Sequence, residues 1–294
     1  MEIRVLQYFL MVAREENITR AANQLHMTQP TLSRQLMQLE EELQTPLFIR
    51  GKRKIELTEA GRLLRRRAEE IVSLVDKTEL EVMQNEEMMG EIMIGTGVFD
   101  ASQNFLPQVI ERFLHEYPQV KFDIYTGNAD LIKERLDNGL VDIGILLEPV
   151  DIEKYNFIRL PKKEKWGVII SKNHELANHT TVSTKDLKKT NLLSTNRTII
   201  QSEIMNWFNG EIDNIDFPVT YNFISTIIPL IKNNIGAAIT VEGAFQAYNQ
   251  DDLVFLPFSP QLSTGVVVVW KKHHTLSRVL KKFITIIEEI SKEY

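Results

Sequence analysis

Polar side chains that can form paired hydrogen bonds cluster at the start of one helical segment. The cluster comprises Gln29, Thr31, Ser33, Arg34 and Gln35. Glutamine and arginine bind adenine and guanine edges in bidentate fashion in the major groove, and short hydroxyl groups reach phosphates near a helix N-terminus. The Glu and Lys ladder of an ordinary solvated helix face is absent from this cluster. These residue types favour a helix that reads DNA bases, and the alternative is an amphipathic helical hairpin with a polar surface.

Two short helices joined by a tight turn must position this cluster. The first is predicted from about Thr19 to Leu25, with Thr19 as its N-cap. His26 and Met27 leave no room for a longer loop. Thr28 is predicted to cap the second helix, which carries Pro30 in its first turn, where a missing N–H costs nothing. The apolar stripe of this second helix consists of Leu32, Leu36, Leu39 and Leu43. The pattern predicts a helix-turn-helix.

A helix before this segment and a hairpin after it complete the predicted N-terminal domain. The helix runs from about Ile3 to Arg14 and places Leu6, Phe9, Leu10 and Ala13 on one side. After Pro46, an apolar–basic–apolar run predicts a two-stranded β-wing with Gly51 at its tip. Behind a helix-turn-helix, such a wing would contact the DNA backbone and minor groove. The alternative is a solvated basic loop.

The charge distribution confines any polyanion binding to the N-terminal part of the chain. The net charge of the whole chain is −6, which argues against a generic nucleic-acid binder. Residues 1–67 contain 12 of the 34 Lys and Arg and 8 of the 40 Asp and Glu, so their net charge is +4 and that of the remainder is −10. A basic N-terminal piece is thus attached to an acidic body.

The bulk composition is that of a globular protein with more than one domain. A length of 294 residues suits two or three domains, and the hydrophobic and charged contents of 43% and 25% allow a sizeable core. No apolar run reaches the length of a membrane helix, and the apolar stretch Val5–Ala13 lacks the features of a signal peptide. The chain has no cysteine, which excludes disulfides and thiolate metal sites. We expect a cytoplasmic protein.

The N-terminal sequence resembles the LysR-type transcriptional regulators. Its motifs match that family in order and spacing: AA-x-x-LH at Ala21–His26, TQPTLSRQ at Thr28–Gln35, LEEEL at Leu39–Leu43, PLF at Pro46–Phe48 and LTEAG at Leu57–Gly61. The resemblance implies a regulator that binds an inverted-repeat site in double-stranded DNA, assembles as a homotetramer built from two dimers, and responds to a small-molecule effector without a cofactor. It also allows a contact with RNA polymerase.

A long helix is predicted from Glu59, with Thr58 as its N-cap, to about Met89. Its apolar positions alternate by four and three residues, which is typical of a coiled-coil seam with polar interruptions at Thr78 and Asn85. The seam residues are Leu64, Ala68, Ile71, Val75, Thr78, Val82, Asn85 and Met89. We expect the chain to dimerise along this seam, which would set two DNA-reading helices about 34 Å apart. The alternative is a helix that packs on its own domain.

Strands and helices alternate beyond this helix and predict a doubly wound α/β body. Strands are expected at Glu91–Thr96, Val120–Thr126, Asp142–Leu147, Trp166–Ser171, Asn191–Ser194, Phe217–Asn222, Ala237–Thr240 and Gly265–Lys271. Helices are expected at Asn104–Glu116, Ala129–Asn138, Ile200–Asn209, Ser225–Lys232 and Leu276–Ser291.

The order of these elements resembles the family's effector domain, which is similar to a periplasmic binding protein with two subdomains. Tyr125–Glu148 is the clearest local match, and crossover strands are expected near Ile158–Lys162 and Gln261–Gly265. The expected organisation is a winged helix-turn-helix domain at 1–58, a dimerisation helix at 59–89 and an effector-binding domain at 90–294. Within this last domain, subdomain I comprises 90–161 and 266–294, and subdomain II comprises 162–265.

Candidate DNA contacts lie on the second helix and on the wing. Base-edge or groove contacts are expected from Gln29, Pro30, Ser33 and Arg34. Contacts with phosphates or the minor groove are expected from Thr28, Thr31, Arg50, Lys52 and Arg53.

Candidate effector contacts follow the strands of the α/β body. The loop with Thr96, Gly97 and Ser102 has hydroxyl groups and amides that could hold an anionic group, and the family commonly uses this loop for its effector. A plain helix cap at Ser102 is the alternative. Facing contacts are expected from Thr126, Asn128, Thr195, Asn196 and Arg197. Arg197 would suit a carboxylate, although a surface arginine is the commoner explanation.

The sequence departs from the family pattern at two positions, and two groups of histidines resemble metal-binding motifs only in part. Asn234 and Val241 stand where the family usually has Gly and Pro, which puts the loop geometry there in question. The run His174–His179 resembles a zinc-protease motif but is one residue too long. His273 and His274 are neighbours in sequence and would point apart if they lie on a strand.

Walker and G-x-S-x-G motifs are absent from the sequence, so we expect no enzyme. Two other functions remain open. One is a small-molecule binding protein or enzyme whose N-terminal domain serves assembly only. The other is a constitutive DNA-binding regulator with a vestigial cleft.

Overall fold

The computed structural model describes residues 1–50, 54–82, 88–209, 216–248, 251–272 and 276–294. The chain divides into two units, Met1–Gln84 and Asn85–Tyr294, which are described separately below.

The N-terminal unit contains the predicted helix-turn-helix and wing. Its elements are α1 (Ile3–Glu15), α2 (Ile18–Gln24), α3 (Gln29–Glu42), β1 (Phe48–Arg50), β2 (Ile55–Leu57) and α4 (Glu59–Val82). Strands β1 and β2 pair antiparallel, with Phe48 opposite Leu57, as a wing requires. The expected wing tip at Gly51 lies outside the described residues.

The N-caps of the helices differ in part from the sequence prediction. Helix α2 is capped by Asn17, whose side chain accepts a hydrogen bond from the Arg20 amide at 3.0 Å. The assignment of this cap to Thr19 was wrong because α2 begins one residue earlier, at Ile18. Thr28 occupies the N-cap position of α3 but makes no side-chain capping bond. The predicted cap at Thr58 is confirmed, since its Oγ1 accepts from the Gly61 amide at 2.9 Å.

Helix α3 is held by three of the four leucines in its predicted stripe. Leu32, Leu36 and Leu39 are fully buried among the side chains of α1 and α2. Each such burial stabilises the fold by roughly 1.5–3 kcal/mol. The fourth, Leu43, is the C-cap residue of α3 and is 38% exposed. The polar start of α3 therefore projects from a fixed apolar base.

Helix α4 packs on its own unit at its start, contrary to the first positions of the predicted seam. Ala68 is buried in the core of the N-terminal unit, and Leu64 packs against that core. These two residues face α1, so they are not seam positions. Ile71 and Leu74 are 37% and 45% exposed. Asn85 lies outside the described residues, and the predicted helix end at Met89 is wrong because Met88 and Met89 are not helical.

The C-terminal unit has the alternating α/β order that the sequence predicts. Its strands are β3 (Gly90–Thr96), β4 (Val120–Thr126), β5 (Ile143–Leu147), β6 (Tyr155–Ser171), β7 (Leu192–Thr195), β8 (Val219–Tyr221), β9 (Ala237–Val241), β10 (Leu253–Pro257) and β11 (Ser263–Lys271). Its helices are α5 (Leu106–Glu116), α6 (Ala129–Asp137), α7 (Thr184–Leu187), α8 (Thr198–Phe208), α9 (Ile228–Lys232), α10 (Glu242–Ala247) and α11 (Arg278–Ser291). A π-helical turn at Ala101–Phe105 precedes α5, and a 3₁₀ turn at Ile224–Thr226 precedes α9.

Two sheet regions share the long strand β6. The strand order in the described residues is β4-β3-β5-β11-β6-β9-β7-β8, and β10 also pairs with β6. Strand β3 is parallel to β4 and β5, and β7 is parallel to β8 and β9. The first half of β6 pairs with β11, and its second half pairs with β9 and β10. The carboxyl ends of both sets of parallel strands flank this change of partners, where α/β folds place ligands.

The crossover differs in detail from the sequence prediction. The strand expected at Trp166–Ser171 and the crossover expected at Ile158–Lys162 are parts of the single strand β6. Ile158 still pairs with β11 inside the first sheet region, so the change of partners occurs later, close to Trp166. The exposed charged residues at 162, 163 and 165 interrupt the apolar pattern and conceal a continuous strand. Elements α7, α10 and β10 were not predicted.

Candidate functional site

The polar face of α3 is open to solvent. Thr28, Gln29, Pro30, Thr31 and Arg34 are exposed, and Ser33 is half-buried. The Thr28 and Thr31 hydroxyl groups share a hydrogen bond of 2.8 Å. Among the described residues, no side chain or carbonyl accepts a hydrogen bond from the Arg34 guanidinium. The structure thus presents the predicted donors and acceptors together on one surface.

The wing is held to the C-terminal end of α1 by one backbone hydrogen bond and one ion pair. The Ile55 amide donates to the Glu16 carbonyl at 3.0 Å, and Lys54 forms an ion pair of 3.0 Å with the Glu16 carboxylate. A hydrogen bond to that carboxylate raises the pKa of Lys54. The predicted contacts at Lys52 and Arg53, and the side chain of Arg50, lie outside the described residues.

Glu40 links α3 to the wing, and the sequence reasoning did not identify it. Its Oε1 accepts hydrogen bonds from the amides of Leu47 and Phe48 at 2.7 and 3.1 Å. Both amides belong to the chain that enters β1, and the Phe48 ring packs 5.2 Å from Phe9 in the core. The first glutamate of the LEEEL motif is the sequence signal that could have revealed this role.

We expect Glu40→Ala to weaken DNA binding by altering the position of the wing. Two partly buried amides would lose their acceptor, at a cost of about 1–3 kcal/mol in the free energy of unfolding. Urea unfolding and DNA titration of the purified variant measure the two effects. Glu41→Ala is the matched control because Glu41 is exposed on the same helix. Equal DNA affinity for the two variants would contradict a positioning role for Glu40.

A cavity of about 130 Å³ lies at the carboxyl ends of the parallel strands in the C-terminal unit. Four predicted effector contacts line it: Gly97, Asn128, Thr195 and Arg197. The structure does not bring Thr96, Ser102, Thr126 or Asn196 to the cavity wall. Of the eight residues predicted as effector contacts, four line the cavity and four do not.

The other four predicted contacts are occupied or directed elsewhere. Ser102 lies inside the π-helical turn at Ala101–Phe105, where its Oγ donates to the Phe99 carbonyl at 2.7 Å and accepts from the Phe99 amide. The alternative of a plain cap at Ser102 was wrong, because Asp100 occupies the N-cap position. Thr96 is 4% exposed, and its hydroxyl donates to the Gly97 carbonyl at 3.1 Å. Thr126 and Asn196 are exposed at strand ends but lie off the cavity wall.

Most of the cavity wall is apolar and aromatic, which the sequence reasoning missed. Its larger side chains are Phe99, Ile132, Ile145, Leu147, Trp166, Ile200, Tyr221, Phe223, Ile224, Ile239 and Tyr248. Burial raises the pKa of the Tyr221 hydroxyl, which donates to the Ile239 carbonyl. Such residues read as ordinary core in sequence, and only their position at strand ends hints at a binding wall. An apolar wall with few polar groups is usual for a small-molecule site.

Arg197 carries the charge of this cavity and forms an ion pair across it. Its Nε and Nη2 donate to the two carboxylate oxygens of Asp130 at 2.9 and 3.2 Å. Arg197 precedes α8, whereas Asp130 lies in the first turn of α6 and is 64% exposed. The pair therefore joins elements that follow β4 and β7, in the two sheet regions.

Glu164 connects the two sheet regions through two backbone amides. One carboxylate oxygen accepts from the Asp100 amide at 2.5 Å, and the other accepts from the Gly243 amide at 3.1 Å. Burial raises the pKa of Glu164. A Cβ atom at Gly243 would lie 2.1 Å from the Asp100 nitrogen, so only glycine permits this approach.

Asn234 and Val241, the two departures from the family pattern, lie before β9 and at its end. Asn234 has a φ of 56°, in the left-handed region that asparagine tolerates better than most residues. Val241 ends β9 and is buried.

The described residues contain no cluster of three or more His, Cys, Asp and Glu that could bind a metal ion. In the HELANH run, burial lowers the pKa of His174, whose Nδ1 accepts from the Leu176 amide. His273 and His274 lie outside the described residues. None of the helices described here is both long and apolar enough to cross a membrane.

Comparison with known proteins assigns both parts of the chain. Residues 3–62 match the family described as "Bacterial regulatory helix-turn-helix protein, lysR family", and residues 85–291 match the "LysR substrate binding domain". The Hca operon transcriptional activator HcaR of Escherichia coli (strain K12) is 28% identical over 293 residues, which cover 98% of each chain. The regulator AlsR of Bacillus subtilis (strain 168) is 28% identical over 292 residues, covering 97% of this chain and 95% of AlsR.

Solved structures show the same fold. The crystal structure of CbnR, a LysR family transcriptional regulator, has a TM-score of 0.75 at 19% identity and covers 99% of both chains. Full-length CbnR in complex with its target DNA has a TM-score of 0.73 at 20% identity, covering 98% of this chain and 99% of CbnR. These matches are to transcriptional regulators and not to enzymes. Because the substrate-binding-domain match alone spans more than half of the sequence, the chain belongs to the LysR family of transcriptional regulators.

Proposed function

We propose that this regulator binds an inverted-repeat promoter site through α3 and the wing, as a dimer. The observation that carries the proposal is the exposed polar start of α3, where Gln29 and Arg34 stand on a base of three buried leucines. The net charge of +4 over residues 1–67 supports it. Gln29, Pro30, Ser33 and Arg34 would contact bases or the groove, and Thr28, Thr31, Arg50, Lys52 and Arg53 would contact phosphates or the minor groove. Since its partner would be the chromosome, we expect it in the cytoplasm.

A small-molecule effector in the cavity would modulate this binding. The proposed contacts are Gly97, Asn128, Thr195 and Arg197, which line the cavity between subdomain I and subdomain II. A ligand with different affinities for different subdomain angles would shift their population and thereby the spacing or bend imposed on DNA. Promoter binding would also allow a contact with RNA polymerase.

Footprinting of the purified protein on the DNA around its own gene, at physiological salt, tests the proposal. The expected result is protection over two or more phased half-sites. Binding no tighter than to random DNA, there and across genomic fragments, would favour the alternative of a small-molecule binding protein whose N-terminal domain serves assembly.

We further propose that residues 59–89 contain the dimer contact and that two dimers form a tetramer. The support is an apolar surface on α4, where Ile71 and Leu74 are 37% and 45% exposed in the single chain. Large apolar side chains on a long helix are stabilised when a second helix covers them.

Ile71→Glu combined with Leu74→Glu is expected to dissociate the dimer. Burying unpaired carboxylates in a helix contact should raise the dimer dissociation constant at least about tenfold, equivalent to roughly 1.4 kcal/mol. Sedimentation velocity measures this change. Asp76→Lys, at an exposed polar position of the same helix, is the control. An unchanged assembly state in the double variant would place the dimer contact elsewhere.

A further inference from the structure

The cavity combines an apolar wall with a single charged residue. Arg197 is the one charged side chain among the described residues that line it, and the wall is otherwise built mainly from aliphatic and aromatic groups. The Arg197 side chain is only 9% exposed. A buried guanidinium requires an anionic partner. A ligand in the cavity must therefore either leave the present partner of Arg197 in place or supply an anionic group itself.

The present partner of Arg197 is one that a ligand can replace. Asp130 is 64% exposed, and an ion pair with a solvated carboxylate is weak because water competes for it. A ligand carboxylate inside the cavity would be shielded from water and would meet the same bidentate guanidinium geometry. Exchange would therefore move Asp130 back to solvent without leaving Arg197 unpaired.

Arg197 keeps one donor group in reserve. Among the described residues, its Nη1 atom has no hydrogen-bond partner, since only Nε and Nη2 contact Asp130. A ligand carboxylate in the cavity could therefore bind the guanidinium through Nη1 together with a donor that Asp130 gives up.

We propose that the effector is a small monocarboxylate with a compact apolar body, and that it takes Arg197 from Asp130 when it binds. This inference rests on the proposed effector function of the cavity. A volume of about 130 Å³ is close to that of cavities that accept a benzene-sized molecule, at roughly 150 Å³. A second negative charge would face the apolar wall without a partner, which excludes dicarboxylates of that size.

Replacement of Asp130 by the ligand carboxylate would also change the contact between α6 and α8. The pair between Arg197 and Asp130 joins α8 to α6, which follow strands of different sheet regions. Its release by the ligand removes one contact across the cavity, and the ligand body replaces it with apolar contacts to both sides. The angle between the subdomains then depends on occupancy.

Calorimetric titration of the full chain with four- to nine-carbon monocarboxylic acids and their primary amides tests the proposal. Benzoic, cyclohexanecarboxylic and isovaleric acids, each with its amide, begin the series. We expect at least one acid to bind about tenfold or more tightly than its amide. Asp130→Asn, which removes the competing carboxylate, should tighten acid binding at least about threefold, whereas Arg197→Gln should weaken it at least about tenfold.

Arg112→Gln is the matched control, because Arg112 forms an ion pair with Glu289 away from the cavity wall. It should leave acid affinity unchanged. The inference is overturned if amides bind as tightly as their acids, if Arg197→Gln retains the acid affinity, or if no acid binds either wild type or Asp130→Asn. An amide that binds wild type but not Ala129→Leu, which narrows the cavity, would overturn the carboxylate class while preserving the effector function.

Discussion

Arg34→Ala is expected to remove about 1–3 kcal/mol of discrimination between target and random DNA. Arg34 is exposed on α3 and has no protein partner among the described residues, so its five donors are available to a guanine edge. Competition titrations against the target site and random DNA at one salt concentration measure the discrimination. Affinity for random DNA should change much less than affinity for the target.

Arg34→Lys separates base reading from charge. Lysine keeps the positive charge but loses the planar fork that binds guanine in bidentate fashion. We expect this variant to keep most of the affinity for random DNA and to lose discrimination. Equal weakening of target and random DNA in Arg34→Ala, with recovery in Arg34→Lys, would instead make Arg34 a phosphate contact.

Glu164→Ala should lower the free energy of unfolding by about 2–6 kcal/mol, because one buried and one partly buried amide lose their acceptor at roughly 1–3 kcal/mol each. These amides, of Asp100 and Gly243, lie on opposite sides of the strand crossover. Urea unfolding of the purified chain measures the loss. Lys163→Ala, at an exposed position of the same strand, is the control. A loss no larger than that of the control would show that Glu164 does not join the two regions.

The same residue makes stability depend on pH. Burial raises the pKa of Glu164 above its ordinary value of 4.5, so folding favours the protonated form. Its contribution is fully present below the unfolded pKa of about 4.5 and decreases as pH rises through the folded pKa. Glu164→Gln should remove this part of the slope in unfolding free energy against pH. An identical slope in wild type and Glu164→Gln would contradict this role of Glu164 in the pH dependence of stability.

The N-terminal unit could be predicted from sequence because its signals are local. The spacing of Leu32, Leu36 and Leu39 gives the buried face of α3 directly, and the polar residues between them then lie outside. The predictions were wrong where two residues could fill the same capping position, or where two helices could cover the same apolar side chains. Thr19 resembles a cap, but Asn17 precedes it and takes the role two residues earlier. Leu64 and Ala68 fit a heptad, but α1 covers them first.

The cavity in the C-terminal unit was predictable in position but not in the composition of its wall. Polar residues after strands mark its edge, and Arg197 was found in this way. The wall residues Trp166 and Tyr221 carry no such mark, because an apolar residue in a strand looks the same in a core and in a cavity. Glu164 escaped notice because its partner Gly243 is 79 residues away and is contacted through the backbone.

Selection of bound sequences from a random DNA pool by the full-length protein, at physiological salt, tests the central claim most directly. The account predicts enrichment of two inverted half-sites whose centres lie about 34 Å apart, one turn of the double helix. In a parallel selection with Arg34→Ala, one position of each half-site should become degenerate. Recovery of no common sequence, with equal affinity for every DNA tested, would contradict the assignment of α3 as the element that reads DNA.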